Sequence, residues 1–144
     1  MSATNNILPS YLDSATLKEK TVFFRVLFHL ADSDGITDDN ELGFLIDAAK
    51  SQGIENLEEL KTLSEEKILQ DVKIIKNRHL ALELIREMCM LSHIDNILSD
   101  EETLFIGKIG IALGVEMEKI EQISNWVIDH IIWLEQAKVI FEER

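Results

Sequence analysis

Proline is almost missing from this chain and glycine is scarce, with one Pro and six Gly in 144 residues. That scarcity excludes collagen-like and loop-dominated architectures and favours long, unbroken helices. Cysteine is equally rare. Cys89 stands alone, so neither an intramolecular disulfide nor a thiolate zinc site can be built. Set in an apolar stretch, it reads as a small core residue. Positive charge is in short supply too: 14 Lys and Arg against 27 Asp and Glu leave a net charge of −13. A surface of that sign repels phosphate backbones and anionic headgroups and attracts cations and basic protein faces. Apolar runs are cut by Arg25, Lys108 or Asp129 well before membrane-spanning length. The N-terminus lacks the basic-then-apolar pattern of a signal peptide. The expectation is a cytoplasmic protein that binds no nucleic acid and does not insert into membranes.

What the chain has in quantity is helical periodicity. Residues 1–13, with Pro9 and a polar "TNN", read as a flexible N-terminal arm ahead of a single domain over 14–144. Leu17, Val22, Phe23, Val26, Leu27 and Leu30 form the first core-facing stripe. Asp38 with Glu41 and Ser99 with Glu102 have the capping-box spacing, and Gly53 and Gly114 stand where helices stop. Asn56 with Glu59, Ser64 and Asn77 mark further helix starts. Ile68, Val72 and Ile75 then form one apolar face, and Leu80, Leu84, Met88 and Leu91 another. The last helix, about 118–141, carries Ile120, Ile123, Trp126, Val127, Ile131 and Leu134 at helical spacing. No stretch alternates with period two. The fold class expected is all-α, about seven helices in a bundle.

The chain also repeats itself. Displaced by 61 residues, "HLADSDGITDDNEL" falls on "MLSHIDNILSDEET" without a gap. Between Arg25 and Glu55, nine of 31 positions are identical to their counterparts, among them Arg25/Arg86, Asp34/Asp95, Glu41/Glu102, Phe44/Phe105 and Gly53/Gly114. Chance supplies roughly two such matches at average residue usage. Two helical hairpins related by an approximate two-fold axis are the expected consequence.

The pattern, a helix ending in "ADSDG", an isoleucine, an acidic start "TDDNE", an apolar helix and a "G-I" stop, resembles the TerB-like domain family. That family is associated with tellurite resistance, and a similar domain forms the N-terminal region of the DjlA co-chaperone. The resemblance runs from about Thr16 to Trp133, and in the second copy Asn96 stands where Gly is usual. It implies a cytoplasmic all-helical bundle without enzymatic activity, a binding or adaptor module of bacterial stress response. It also implies a divalent cation, Ca²⁺ or else Mg²⁺ or Mn²⁺, at the acidic loops. Carried over by position, the metal candidates are Asp34 with Glu41 and Asp95 with Glu102, with Asp32 and Asp38 as extras in the first loop. His93 replaces Asp32 in the second.

Read from the residues alone, two accounts of these carboxylates stand side by side. They complement the positive ends of helices, worth roughly 0.3–1 kcal/mol each, or they hold a hard cation. A complete EF-hand is excluded, because its first ligand position falls on Leu30 and, in the second copy, on Leu91. His29, His79, His93 and His130 show no spacing that sets two of them on one helical face near a carboxylate. No phosphate loop, HExxH pair or nucleophile elbow occurs. A metal-dependent hydrolase and a co-chaperone-type regulatory domain remain as alternatives. Ile132, Trp133, Ile140 and Phe141 exceed what one buried stripe can absorb. The last helix is therefore either fully packed or a partner face, including a homodimer face, anchored by Trp126, Trp133 and Phe141.

Overall fold

A computed structural model describes residues 10–33, 39–61, 64–93 and 99–142. The described residues are all-helical, in six α-helices: α1 Leu17–Ser33, α2 Asp39–Ser51, α3 Glu65–Asp71, α4 Arg78–His93, α5 Asp100–Ala112 and α6 Met117–Ile140. The seventh helix expected after Asn56 is a single 3₁₀ turn, Leu57–Leu60. Asn56 does cap it, accepting the Glu58 N–H, but Lys61 is already extended, so no second turn forms.

Local chemistry sets the helix limits. Thr16 and Glu19 exchange side-chain and backbone hydrogen bonds at 3.1 and 2.9 Å, a capping box that starts α1 at Leu17, the first residue of its apolar stripe. Asn77 accepts the N–H groups of His79 and Leu80 to open α4. Ser99 and Glu102 form the expected box at α5, with both bonds at 3.1 Å. At the other ends, Gly53 and Gly114 adopt φ of +91° and +78°. Each closes its helix with the same pair of bonds, Gly53 N–H to Lys50 and Ile54 N–H to Ala49, then Gly114 N–H to Ile111 and Val115 N–H to Gly110. Ile54 and Val115 are buried directly after the turn. α2 and α5 thus have equal length, start 61 residues apart and stop in the same way.

α4 lies at the centre, packed against α1, α5 and α6. The core joins Phe23, Val26 and Leu30 of α1 to Leu84, Ile85 and Met88 of α4, Ile109 of α5, Ile68 of α3 and Val127 of α6. Gly110 lets α5 approach α6 closely, since a Cβ there would overlap the end of the Ile120 side chain. Ion pairs fasten the periphery: Lys108 to Glu65 at 2.9 Å and Arg78 to Glu116 at 2.7 Å. The Arg78 hydrogen bond holds the Glu116 carboxyl below its ordinary pKa.

Three residues expected in the core are outside it. Leu17 is exposed in the first turn of α1, and Trp126 and Leu134 are exposed on α6. α6 is 24 residues long against 16 for α4 and 13 for α5, so its apolar periodicity continues after its neighbours have ended. Phe44 and Phe105, identical at the 61-residue displacement, part ways as well: Phe44 is 70% exposed and Phe105 4%. Phe105 rests on His29 with ring centroids 4.9 Å apart, inside a helix flanked by α4, α6, α3 and α1, whereas α2 packs chiefly on α1.

Candidate functional site

Of the six carboxylates singled out from the sequence, two have described side chains. Asp32 is exposed in the last turn of α1, where the helix dipole is negative. Glu102 is buried, and its Oε1 accepts the Ser99 N–H. That geometry fits a helix start. Asp34, Asp38 and Asp95 lie outside the described residues, as do the side chains of Glu41 and His93. Among the described residues, no three His, Cys, Asp or Glu side chains converge as a metal cage would require.

The structure brings a different set together. Tyr11, α4 and α6 line a groove of about 360 Å³. Leu82, Ile123 and Trp126 supply its apolar lining, and Glu83, Arg86, Lys119 and Gln122 its polar groups. One end is closed by Tyr11 stacked on His79, ring centroids 4.6 Å apart at 17°. Glu83 is the buried group of this site. Its Oε1 accepts the Tyr11 N–H at 2.6 Å, and its Oε2 accepts the Ser10 hydroxyl at 3.2 Å, with Arg86 Nη2 at 3.8 Å. A buried carboxylate needs such partners, because desolvation without them costs several kcal/mol. The Arg86 Nε also donates to Glu87 at 3.0 Å.

A second groove, about 350 Å³, lies beside α1 and is lined by Lys18, Thr21, Val22 and Arg25 with Glu59, Asp71 and Ile74. Its α1 positions 18, 21, 22 and 25 are those of α4 positions 79, 82, 83 and 86 less 61. Here too the chain satisfies the arginine. Arg25 donates from Nε and Nη2 to the Glu59 carbonyl at 2.9 and 2.7 Å, and from Nη1 to Asp71 at 3.1 Å.

From the first groove the apolar surface runs on along α6. The rings of Trp126, His130 and Trp133 follow one another at centroid distances of 6.4 Å, near parallel. Trp126 is 47% exposed, Trp133 65% and Phe141 71%, and Ile132, Val139 and Ile140 are exposed beside them. Of the two readings of the last helix, its C-terminal half takes the unpacked one. Cys89 is inert by contrast: burial pushes its thiol up to about 11, with the Ser124 hydrogen bond opposing weakly.

Sequence reasoning marked Trp126 and Trp133 but missed Glu83, His79 and the groove. The one available signal was an acid in the middle of "HLALELIREMCML", three residues before an arginine. No helix among the described residues is long and apolar enough to cross a membrane. Comparison with known protein families, curated proteins and solved structures found no match.

Proposed function

We propose that this chain is a non-enzymatic binding and adaptor module of the TerB-like type, working in bacterial stress response in the cytoplasm. The observation that carries the reading is the row of exposed apolar side chains on α6, Trp126, Trp133 and Phe141, that begins at the groove lined by Leu82 and Ile123. A run of four exposed or half-exposed apolar residues, Ile131 to Leu134, on a protein of net charge −13 is what a partner surface requires and a solvated helix does not. The two arginine-lined grooves at equivalent positions, and the matching stops of α2 and α5, support descent of both halves from one duplicated hairpin.

The cation belongs, on this reading, to the first acidic loop, held by Asp34 with Asp32, Asp38 and Glu41. Asp32 supports it, because an exposed carboxylate at the negative end of α1 favours a cation. The binding reading is tested by NMR titration with amphipathic helical peptides of basic flank. Shifts are expected at Leu82, Trp126 and Trp133, and their absence with every peptide overturns it. Calorimetry with Ca²⁺, Mg²⁺ and Mn²⁺ on the native chain and on Asp34→Ala tests the cation; no heat in either chain overturns that part.

A further inference from the structure

α6 carries two apolar stripes. The first, Ile120, Val127 and Ile131, faces the chain's own core. The second, apolar but for His130, is Ile123, which also packs against the core, with Trp126, His130, Trp133, Ala137 and Ile140, spaced alternately by three and four residues. That spacing is the seam of a two-stranded coiled coil. The seam lies about 100° around the helix from the core stripe, since neighbouring residues are separated by that angle.

We infer that this seam pairs with the same seam of a second copy of the chain, the two α6 helices running antiparallel. The inference rests on the binding surface proposed above and names its occupant. One antiparallel register pairs every seam position: Ile123 with the partner's Ile140, Trp126 with the partner's Ala137, and His130 with the partner's Trp133. A large ring falls opposite a methyl group, which is how facing core layers interdigitate. The imidazole falls opposite an indole, the contact that His130 already makes within its own helix. A parallel pair would instead set Trp126 against its own equivalent, and likewise Trp133 and His130.

Charge argues the same way. The net charge of −13 makes two copies repel, and in each copy the globular body sits on the N-terminal half of α6. Antiparallel pairing puts the two bodies at opposite ends; parallel pairing puts them side by side. Flanking the seam are Gln122, Asp129 and Gln136. In this register Asp129 faces the partner's Gln136, so no like charges meet. The covered area is sufficient. Trp126, Trp133, Leu134, Ile140 and Phe141 are 43 to 71% exposed, which amounts to on the order of 700 Å² per subunit, close to what a specific interface uses. Pairing also delivers the partner's Ile140 to Ile123, so the end of each α6 closes the groove of the other copy.

Sedimentation velocity tests the dimer, and engineered cysteines test its direction. The native chain is expected to sediment at twice its 16.5 kDa mass at tens of micromolar, and Trp133→Glu at the monomer mass with unchanged helicity and melting. The pair Trp126→Cys with Ala137→Cys in one chain is expected to oxidise to a covalent dimer. Those two positions are about 16 Å apart on a single helix and cannot join within it. A covalent dimer from Ala137→Cys alone, with none gained in the double variant, overturns the antiparallel register. A native chain that stays monomeric at every concentration overturns the dimer. If such a monomer still shifts at Trp126 with amphipathic peptides, the binding-module reading survives that failure; if it does not, both fall.

Discussion

The N–H of Tyr11 donates to Glu83 Oε1 at 2.6 Å, joining the first described residues to the middle of α4 across 72 positions of sequence. The bond satisfies a buried carboxylate and fixes the ring that stacks on His79 at the groove's end. Glu83→Gln is expected to cost about 1.5–3 kcal/mol, the range for hydrogen bonds to a charged group. Urea unfolding measures the loss. Faster amide exchange at Tyr11 and Leu12, with α5 unaffected, would locate it.

Gly53 and Gly114 hold φ of +91° and +78° at the ends of equivalent helices. Alanine at either position is expected to destabilise the chain by roughly 1–2 kcal/mol, because a Cβ is strained there although open space surrounds it. Thermal melts of the two single variants check this, and similar losses would show that both stops work alike.

Ser99→Ala removes one half of the capping box and is expected to cost about 1 kcal/mol. The loss should be the same with and without Ca²⁺, because Glu102 serves the helix start. A loss that appears only when Ca²⁺ is present would mark Glu102 as a cation ligand after all.

Two titrations make stability depend on pH. The Cys89 thiol is raised from 9.0 to about 11, so the folded chain keeps its proton where the unfolded chain loses it. Stability from this group is full below pH 9 and falls as pH rises toward 11. At pH 8, alkylation of Cys89 should therefore wait for unfolding. Glu116 has the opposite sign. Arg78 holds its carboxyl below the ordinary value, so its small surface contribution is present above that value and disappears as acid protonates it. Chemical denaturation across both pH limits, repeated with Cys89→Ala and Glu116→Gln, separates the two.

Much of the architecture was legible because local chemistry set it. The Ser99 box, the Asn77 cap and both glycine stops are short-range devices, and the stripe of α4 follows from its own spacing. Longer-range outcomes were not legible. Periodicity marks an apolar face without saying where its neighbours end, so Leu134 read as core, and Trp126 as core or partner face, on a helix that outruns the core. Phe44 and Phe105 carry one residue type and one local context, and only tertiary packing separates them. Glu83 escaped notice because its partners lie in the N-terminal segment, and no spacing rule connects positions 72 apart. The dense acidic loops drew attention that, for Glu102, a helix cap accounts for.

Acrylamide quenching of Trp126 and Trp133 tests most directly whether the α6 surface is covered when the protein works. Each tryptophan is read alone in a variant with the other changed to phenylalanine. Both should quench readily at nanomolar protein, and quenching should fall several-fold as concentration rises or an amphipathic peptide is added. Quenching that stays high at every protein concentration and with every peptide would contradict a binding role for α6.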